Sequence, residues 1–354
     1  MSKTLSKKEI FGILQQSKAS NHWIVPQGAS ANFRTIQWIN SGVLIPDPAV
    51  TVDQFNVTSQ TGTHFEHERF FVDSTSGLPK IPFTGTCDKT TLAAFLVAAF
   101  QGCSEAVGTP FTKTIGAGGL AGVINWANNE GYLFTLALQQ GASADDGIIL
   151  ENALIDTLNI VWEVESSGIA RLVNMNGTWV GNELKYEQAL DGTWTNGVPL
   201  QTGFFNNTDT WAVRTTFTVD GVDYSAQCIR RVELQINNNI RKACVSTGGK
   251  ASNYIWSPEY KMLITVDHNS ITEKILKDFT SGADVSFTWS NDPATANTDG
   301  KWTVQSDTGN GKLMSQPKTY SDEYLGLQLE VKWFSLLGAT PLTMAFTDTI
   351  DWGF

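Results

Sequence analysis

From residue 33 onward the chain is a series of short runs in which apolar and polar residues alternate, cut by Gly, Asn, Asp and Pro. This pattern limits the fold more than any other feature. A period of two buries one face of a strand and wets the other. In RVELQI (231–236), Val232, Leu234 and Ile236 share one face while Arg231, Glu233 and Gln235 share the opposite one. Similar runs are FRTIQWI (33–39), VTVDQFNV (50–57), YLFTLALQ (132–139), TLNIVWEVE (157–165) and IARLVNM (169–175). WAVRTTFTV (211–219), YKMLITV (260–266), DVSFTWS (284–290), KWTVQS (301–306) and LGLQLEVKWF (325–334) continue the series. Only two interior stretches, 90–101 and 270–280, have helical character; Leu5, Ile10, Phe11, Ile13 and Leu14 predict a further amphipathic helix over 3–18. The 12 Trp, 19 Phe and 7 Tyr beside 31 Gly suit a mainly β chain with a large core.

The helical stretches bring out an internal repeat. At a shift of 180, TGTCDKTTLAAFLVAAFQG (84–102) lies over ITVDHNSITEKILKDFTSG (264–282). Each unit reads as a strand, a turn, a one-face helix and a closing Gly in left-handed conformation. Asp88 or Thr90 is the candidate N-cap of the first helix, and Asn269 or Ser270 that of the second. Upstream lie DQFNV (53–57) and VELQI (232–236), each followed by a long polar loop, 58–80 and 237–258. The expected organisation is an N-terminal arm (1–20), a first domain (21–200) and a second domain (201–354), joined in the Gly/Asn/Thr-rich segment 191–210.

Reactive groups do not converge. His64-Phe-Glu-His67-Glu is the densest polar group, yet an extended chain puts His64 and His67 on opposite faces, and it is not HExxH. No Walker loop, GxSxG or GxGxxG before a helix occurs. Cys87, Cys103, Cys228 and Cys244 form no CxxC pair and read as small buried hydrophobes. The expectation is no catalytic site, no metal and no cofactor. The first 18 residues carry lysines without an apolar segment behind them, and the longest apolar run, Leu92 to Phe100, is too short to span a bilayer. A soluble cytosolic product without a membrane partner is expected. The net charge of −11 argues against general nucleic-acid binding, but suits a surface that must not stick to DNA.

IPFTGTCDKTTLAAFLVAAFQG, TPFTKTIG, YLFTLALQQG and DTLNIVWEVESSGIARLVNMNGTWVG, with CIRRVELQINNNI and SPEYKMLITVDHNSITEKILKDFTSG, carry a resemblance. From about residue 50 to the end, the chain resembles the major tail tube protein of long, non-contractile-tailed bacteriophages, in a form with a duplicated tube domain. The resemblance implies two tandem β-sandwich domains, each with one flanking helix. It implies inner sheets that join into a ring β-barrel, and homotrimeric pseudo-six-fold rings stacked into a tube. It places the protein in the virion after assembly in the host cytoplasm. Tape-measure protein and then genomic DNA would occupy the lumen without tight binding, with tail terminator and tail-tip proteins at the ends.

Long loops in compact domains are usually functional or disordered. The matched loops are therefore expected to contact an adjacent ring through His64, Glu66, Arg69 and Phe71 in the first, and Asn238, Arg241, Lys242 and Tyr254 in the second. Glu163, Glu165, Glu233 and Glu330 lie on polar sides of alternating strands and are the candidate lumen carboxylates. Such a wall would repel phosphate within a screening length of about 8 Å; exposure on an outer face is the other reading of the same residues. Two other functions fit the composition. A carbohydrate-binding or glycoside-active β-sandwich would also be acidic and rich in Trp. A different virion component, such as a tail terminator or capsid decoration protein, would share the assembly chemistry.

Overall fold

The computed structural model describes residues 9–15, 17–18, 23–24, 34–36, 51–57, 67–73, 78–85, 89–101, 103–106, 111–116, 122–125, 132–140, 147–164, 170–188, 216–227, 229–245, 251–278, 282–290, 301–306, 311–315, 318–321, 324–333 and 342–348. The chain opens with β1 (Glu9–Gln15), β2 (Ser17–Lys18), β3 (Trp23–Ile24), β4 (Arg34–Ile36), β5 (Thr51–Val57), β6 (His67–Asp73), β7 (Lys80–Gly85) and helix α1 (Lys89–Phe100). Next come β8 (Cys103–Ala106), β9 (Phe111–Gly116), β10 (Gly122–Asn125), β11 (Phe134–Gln140), β12 (Gly147–Val164), β13 (Ala170–Val180) and β14 (Glu183–Gln188). Beyond residue 200 lie β15 (Thr216–Val219), β16 (Val222–Asp223), β17 (Ile229–Asn237), β18 (Arg241–Val245), β19 (Ala251–Trp256), β20 (Glu259–Asp267) and helix α2 (Glu273–Asp278). The chain ends with β21 (Asp284–Ser290), β22 (Lys301–Ser306), β23 (Gly311–Ser315), β24 (Lys318–Ser321), β25 (Tyr324–Trp333) and β26 (Leu342–Asp348). The protein is mainly β, as expected.

A central antiparallel sheet runs β7–β13–β12–β17–β20–β25, with β23 and β24 along the far side of β25. It passes straight through the expected domain boundary, because β12 pairs with β17 from Thr157↔Asn237 to Glu163↔Arg231. Two further pairings cross that boundary: β9 with β26, and β10 with β19. Among the described residues, no pairing closes this sheet into a barrel. β7 carries Pro82, which supplies no N–H; it pairs only with β13 among the described strands, as suits an edge position.

Strand β12 belongs to two sheets. Residues 154–164 pair with β13 and residues 157–163 with β17, whereas residues 147–153 pair with β11 on one side and residues 147–151 with β14 on the other. The corner is at Asn152, whose φ of 51° is left-handed, a conformation Asn tolerates better than most residues. The 18-residue length of this strand was not foreseen; only its second half was expected. Strand β1 extends the second sheet through β11 and also pairs with β4, so the amphipathic helix expected over 3–18 is replaced by a strand at 9–15. A short run apolar on both faces has no period to choose between the two, and pairing partners decide.

One large apolar cluster fills the space under the central sheet, from Ile81 and Phe83 to Val331 and Trp333. β17, β20 and β25 each present alternate residues to it, including the predicted Val232, Leu234 and Ile236. Residues 94–100 of helix α1 are buried on all sides: every side chain from Ala94 to Phe100 is inaccessible. The one-face helix expected here is incorrect. LAAFLVAAF has no polar stripe, and a helix apolar all round must be covered all round. Phe95 meets Phe83 and Trp179 edge-on, with centroids 5.1 and 5.2 Å away.

The helix ends follow local chemistry. Asn269 is the N-cap of α2: its Oδ1 accepts from the N–H groups of Ile271 and Thr272 at 2.8 and 2.9 Å. After α1, Gln101 is left-handed (φ 57°); the expected closing Gly102 lies outside the described residues. The Gln101 side chain holds that conformation, donating to the Ala98 carbonyl at 2.7 Å and accepting from the Tyr132 N–H at 2.8 Å. The repeat at a shift of 180 holds for the helices, where Phe95 and Ile275 are both buried, but fails in the strands. There, exposed Lys80, Pro82 and Thr84 would fall on buried Tyr260, Met262 and Ile264. A slip of one residue inverts a strand, so any duplication needs an odd offset in the strands and an insertion before the helix.

Candidate functional site: the polar face of the central sheet

The face of the central sheet turned away from the core is polar, and its rows follow from the register. One row runs Thr84, Asn176, Asn159, Gln235, Lys261, Lys332, Lys312 across seven strands. The next row includes Glu233, Leu263, Glu330 and Ser315. Alternation places most of these side chains here: Leu158 and Ile160 flank Asn159, Leu234 and Ile236 flank Gln235, Tyr260 and Met262 flank Lys261, and Val331 and Trp333 flank Lys332, all pointing into the apolar cluster.

The carboxylates on this face are not bare. Glu233, 13% exposed, accepts from Asn159 Nδ2 at 3.0 Å and Gln235 Nε2 at 2.6 Å through one oxygen, and from Arg231 Nη2 at 3.1 Å through the other. Glu330 accepts from Lys261 Nζ at 3.0 Å and Ser315 Oγ at 3.3 Å. Asp267 takes a two-pronged bond from Arg230 at 2.7 and 2.9 Å, and Asp284 pairs with Lys312. Lys332 stands between Lys261 and Lys312 in register; those two have carboxylate partners, and Lys332 has none among the described residues. Among the described side chains this face is therefore nearly charge-balanced, with one ammonium lacking a carboxylate partner. Glu233 and Glu330, expected as bare lumen carboxylates, are thus each paired with a cation within the chain.

Glu163 lies in β12 opposite Arg171 and Arg231, while Glu165 is outside the described residues. Of the expected inter-ring residues, His64 and Glu66 are also outside them. Arg69 and Phe71 lie in β6, paired with Phe55 and Asp53 of β5, so part of the segment read as a loop is a strand. The second expected loop holds the β18–β19 hairpin. Arg241 is exposed on it and Lys242 half-buried. Asn238 and Tyr254 are a correction: both are fully buried and hydrogen-bonded inside the chain, to Ala99, Ile155 and Asn152. In this conformation neither side chain can reach a neighbouring ring.

The lysine row was missed because cross-strand register is invisible in a single strand; the only available signal was the polar slot that Lys261 and Lys332 each occupy in alternation. Among the described residues, no three His, Cys, Asp or Glu side chains group to hold a metal ion, and no helix is long and apolar enough to cross a membrane. No protein-family model matches the chain, and neither does any curated protein.

Proposed function

We propose that the chain is a structural subunit of a phage-type tail tube, polymerising as stacked rings whose channel delivers DNA into the host. The observation that carries this reading is the central sheet, which crosses the expected boundary with one face packed and the other polar. A sheet of that kind suits a segment of tube wall. A ring gives its edge strands partners, and heterologous contacts that close into rings also stack into filaments.

In this reading residues 21–200 and 201–354 are two tube-like sandwich units, three chains complete a pseudo-six-fold ring, and neighbouring inner sheets join into a barrel. The polar face then lines the lumen, past which tape-measure protein and DNA move without tight binding. Tail terminator and tail-tip proteins close the ends, and the tube resides in the virion after assembly in the host cytoplasm. The lining is a charge-balanced one rather than a wall of free carboxylates. The carbohydrate-binding alternative depends on exposed aromatics; Trp179, Trp256 and Trp333, the tryptophans whose exposure is described, are all buried, while Tyr186 is exposed.

Negative-stain microscopy and mass measurement of the purified protein test the proposal. Hollow rings of three chains, or tubes with a ring repeat, are expected. Single particles at every concentration and salt condition would defeat it, and rings of six chains would defeat the two-unit reading.

A further inference from the structure

We propose that residues 237–245 and 251–256 are a strap by which the second half of the chain is locked onto the first, with Asn238 as its pin. The proposal concerns the single chain and does not depend on the tube reading.

The strap begins where β17 ends. The backbone N–H of Asn238 donates to the Asp156 carbonyl at 2.7 Å. Its side-chain Nδ2 donates to the carbonyls of Ala99 and Ile155, both at 2.7 Å, in a fully buried site. Ala99 sits in the last turn of α1, where helix carbonyls have no partner of their own. A residue of the second half thus completes a helix of the first.

The next two residues hold the turn. Asn239 adopts a left-handed φ of 48° and donates through Nδ2 to the Ser257 carbonyl at 3.0 Å. Ile240 donates its N–H to Asp156 Oδ1 at 2.8 Å. The β18–β19 hairpin then returns, and Tyr254 donates its hydroxyl to the carbonyl of Asn152, the corner residue of β12, at 2.8 Å. Ile240, Tyr254 and Trp256 form a separate apolar cluster with Leu78, Leu133, Leu154 and Val180. The free side of β19 takes β10, from Trp256↔Gly122 to Asn253↔Asn125.

The strap therefore grips the end of α1, the corner of β12, strand β10 and a small core, all of which precede residue 200. Without it, the carbonyls of Ala99, Ile155 and Asn152 lose their donors and four apolar side chains lose their cover. Separation of the halves is coupled to local unfolding of the first. The chain behaves as one cooperative body, and in the tube reading it reaches the ring as a preformed double unit.

The test is hydrogen exchange by mass spectrometry on the full-length chain, with a thermal scan. The wild type is expected to melt in one transition. Asn238→Ala should raise exchange about tenfold or more in 94–100 and 148–156, because two buried carbonyls lose their donor, and should lower the melt while keeping it single, since the β12–β17 ladder and the shared core still join the halves. Val285→Ala, in the second half away from the strap, should lower the melt with no greater rise in exchange at 94–100 and 148–156 than elsewhere. If Asn238→Ala does not fold, Tyr254→Phe removes only the hydroxyl and should raise exchange severalfold at the same first-half segments. Two transitions in the wild type, or strap variants that loosen only residues beyond 200, would overturn the proposal.

Discussion

Gly177 sits in the middle of β13, between Phe83 of β7 and Leu158 of β12. A Cβ there would lie 2.0 Å from the Thr157 carbonyl oxygen and 2.7 Å from the Phe83 ring. The oxygen belongs to the adjacent strand and cannot swing aside. Phe83 is held against Phe95 and Trp179, so its movement disturbs the aromatic cluster beneath α1. Gly177→Ala must therefore spread β12 and β13 apart at the centre of the sheet. Overpacking typically costs about 1–3 kcal/mol, and a weakened ladder bond adds about 1 kcal/mol. The reduced entropy of the unfolded chain returns about 0.4–1 kcal/mol. The net expectation is a loss of about 2–3 kcal/mol, or roughly 3–4 °C in midpoint for a chain of this size. Urea unfolding and thermal scans measure it. Gly221→Ala is the comparison: its Cβ would meet nothing within 4 Å, although its φ of +78° adds backbone strain of about 1–2 kcal/mol. Stability of Gly177→Ala within about 0.5 kcal/mol of wild type would refute the close approach of the two strands.

Glu233→Ala removes the acceptor shared by Arg231, Asn159 and Gln235, and should cost about 1.5–3 kcal/mol in a urea titration; an unchanged midpoint would mean that solvent already screens the cluster. Lys332→Glu replaces the uncompensated charge between Lys261 and Lys312 with an opposite one, and should raise stability by a few tenths of a kcal/mol at low salt, with the gain lost at high salt. Burial pushes the phenols of Tyr254 and Tyr260 up from the ordinary 10.0. Because their folded values lie above the unfolded one, the stability they contribute is complete below pH 10 and is lost as pH rises beyond it. Tyrosinate absorbance should show both ionising only together with alkaline unfolding; earlier, gradual ionisation of all seven tyrosines would contradict their burial.

Where one face of a strand is buried, the sequence was a sound guide. RVELQI, YKMLITV and LGLQLEVKW present the faces that alternation predicts, because each strand meets the core on one side only. The N-cap at Asn269 was legible for a similar reason: a cap is a contact among neighbours in sequence. Long-range decisions were not legible. INNNI reads as a polar turn, yet Asn238 is buried by partners 83 and 139 residues away. EIFGILQ has apolar residues on both sides, and strands β4 and β11 made it a strand rather than a helix. Glu233 and Glu330 were correctly assigned to a polar face, but their cations depend on neighbouring side chains and cross-strand register, which composition does not reveal.

The pairing of β9 with β26 has a consequence for synthesis. Residues 111–116 pair on one edge with β8, just before them, but on the other edge with 342–348, about 230 positions later. At typical elongation rates of about 5–20 residues per second, the ribosome needs on the order of ten to forty seconds to cover that distance. Throughout that interval the β26 side of β9 has no partner from its own chain, while the α1 segment that packs beside it has already been made. An unpaired edge is a template for another strand. Nascent chains on one message are therefore exposed to swapping β26 between copies, and dilution or slower initiation should raise the yield of correctly paired chain.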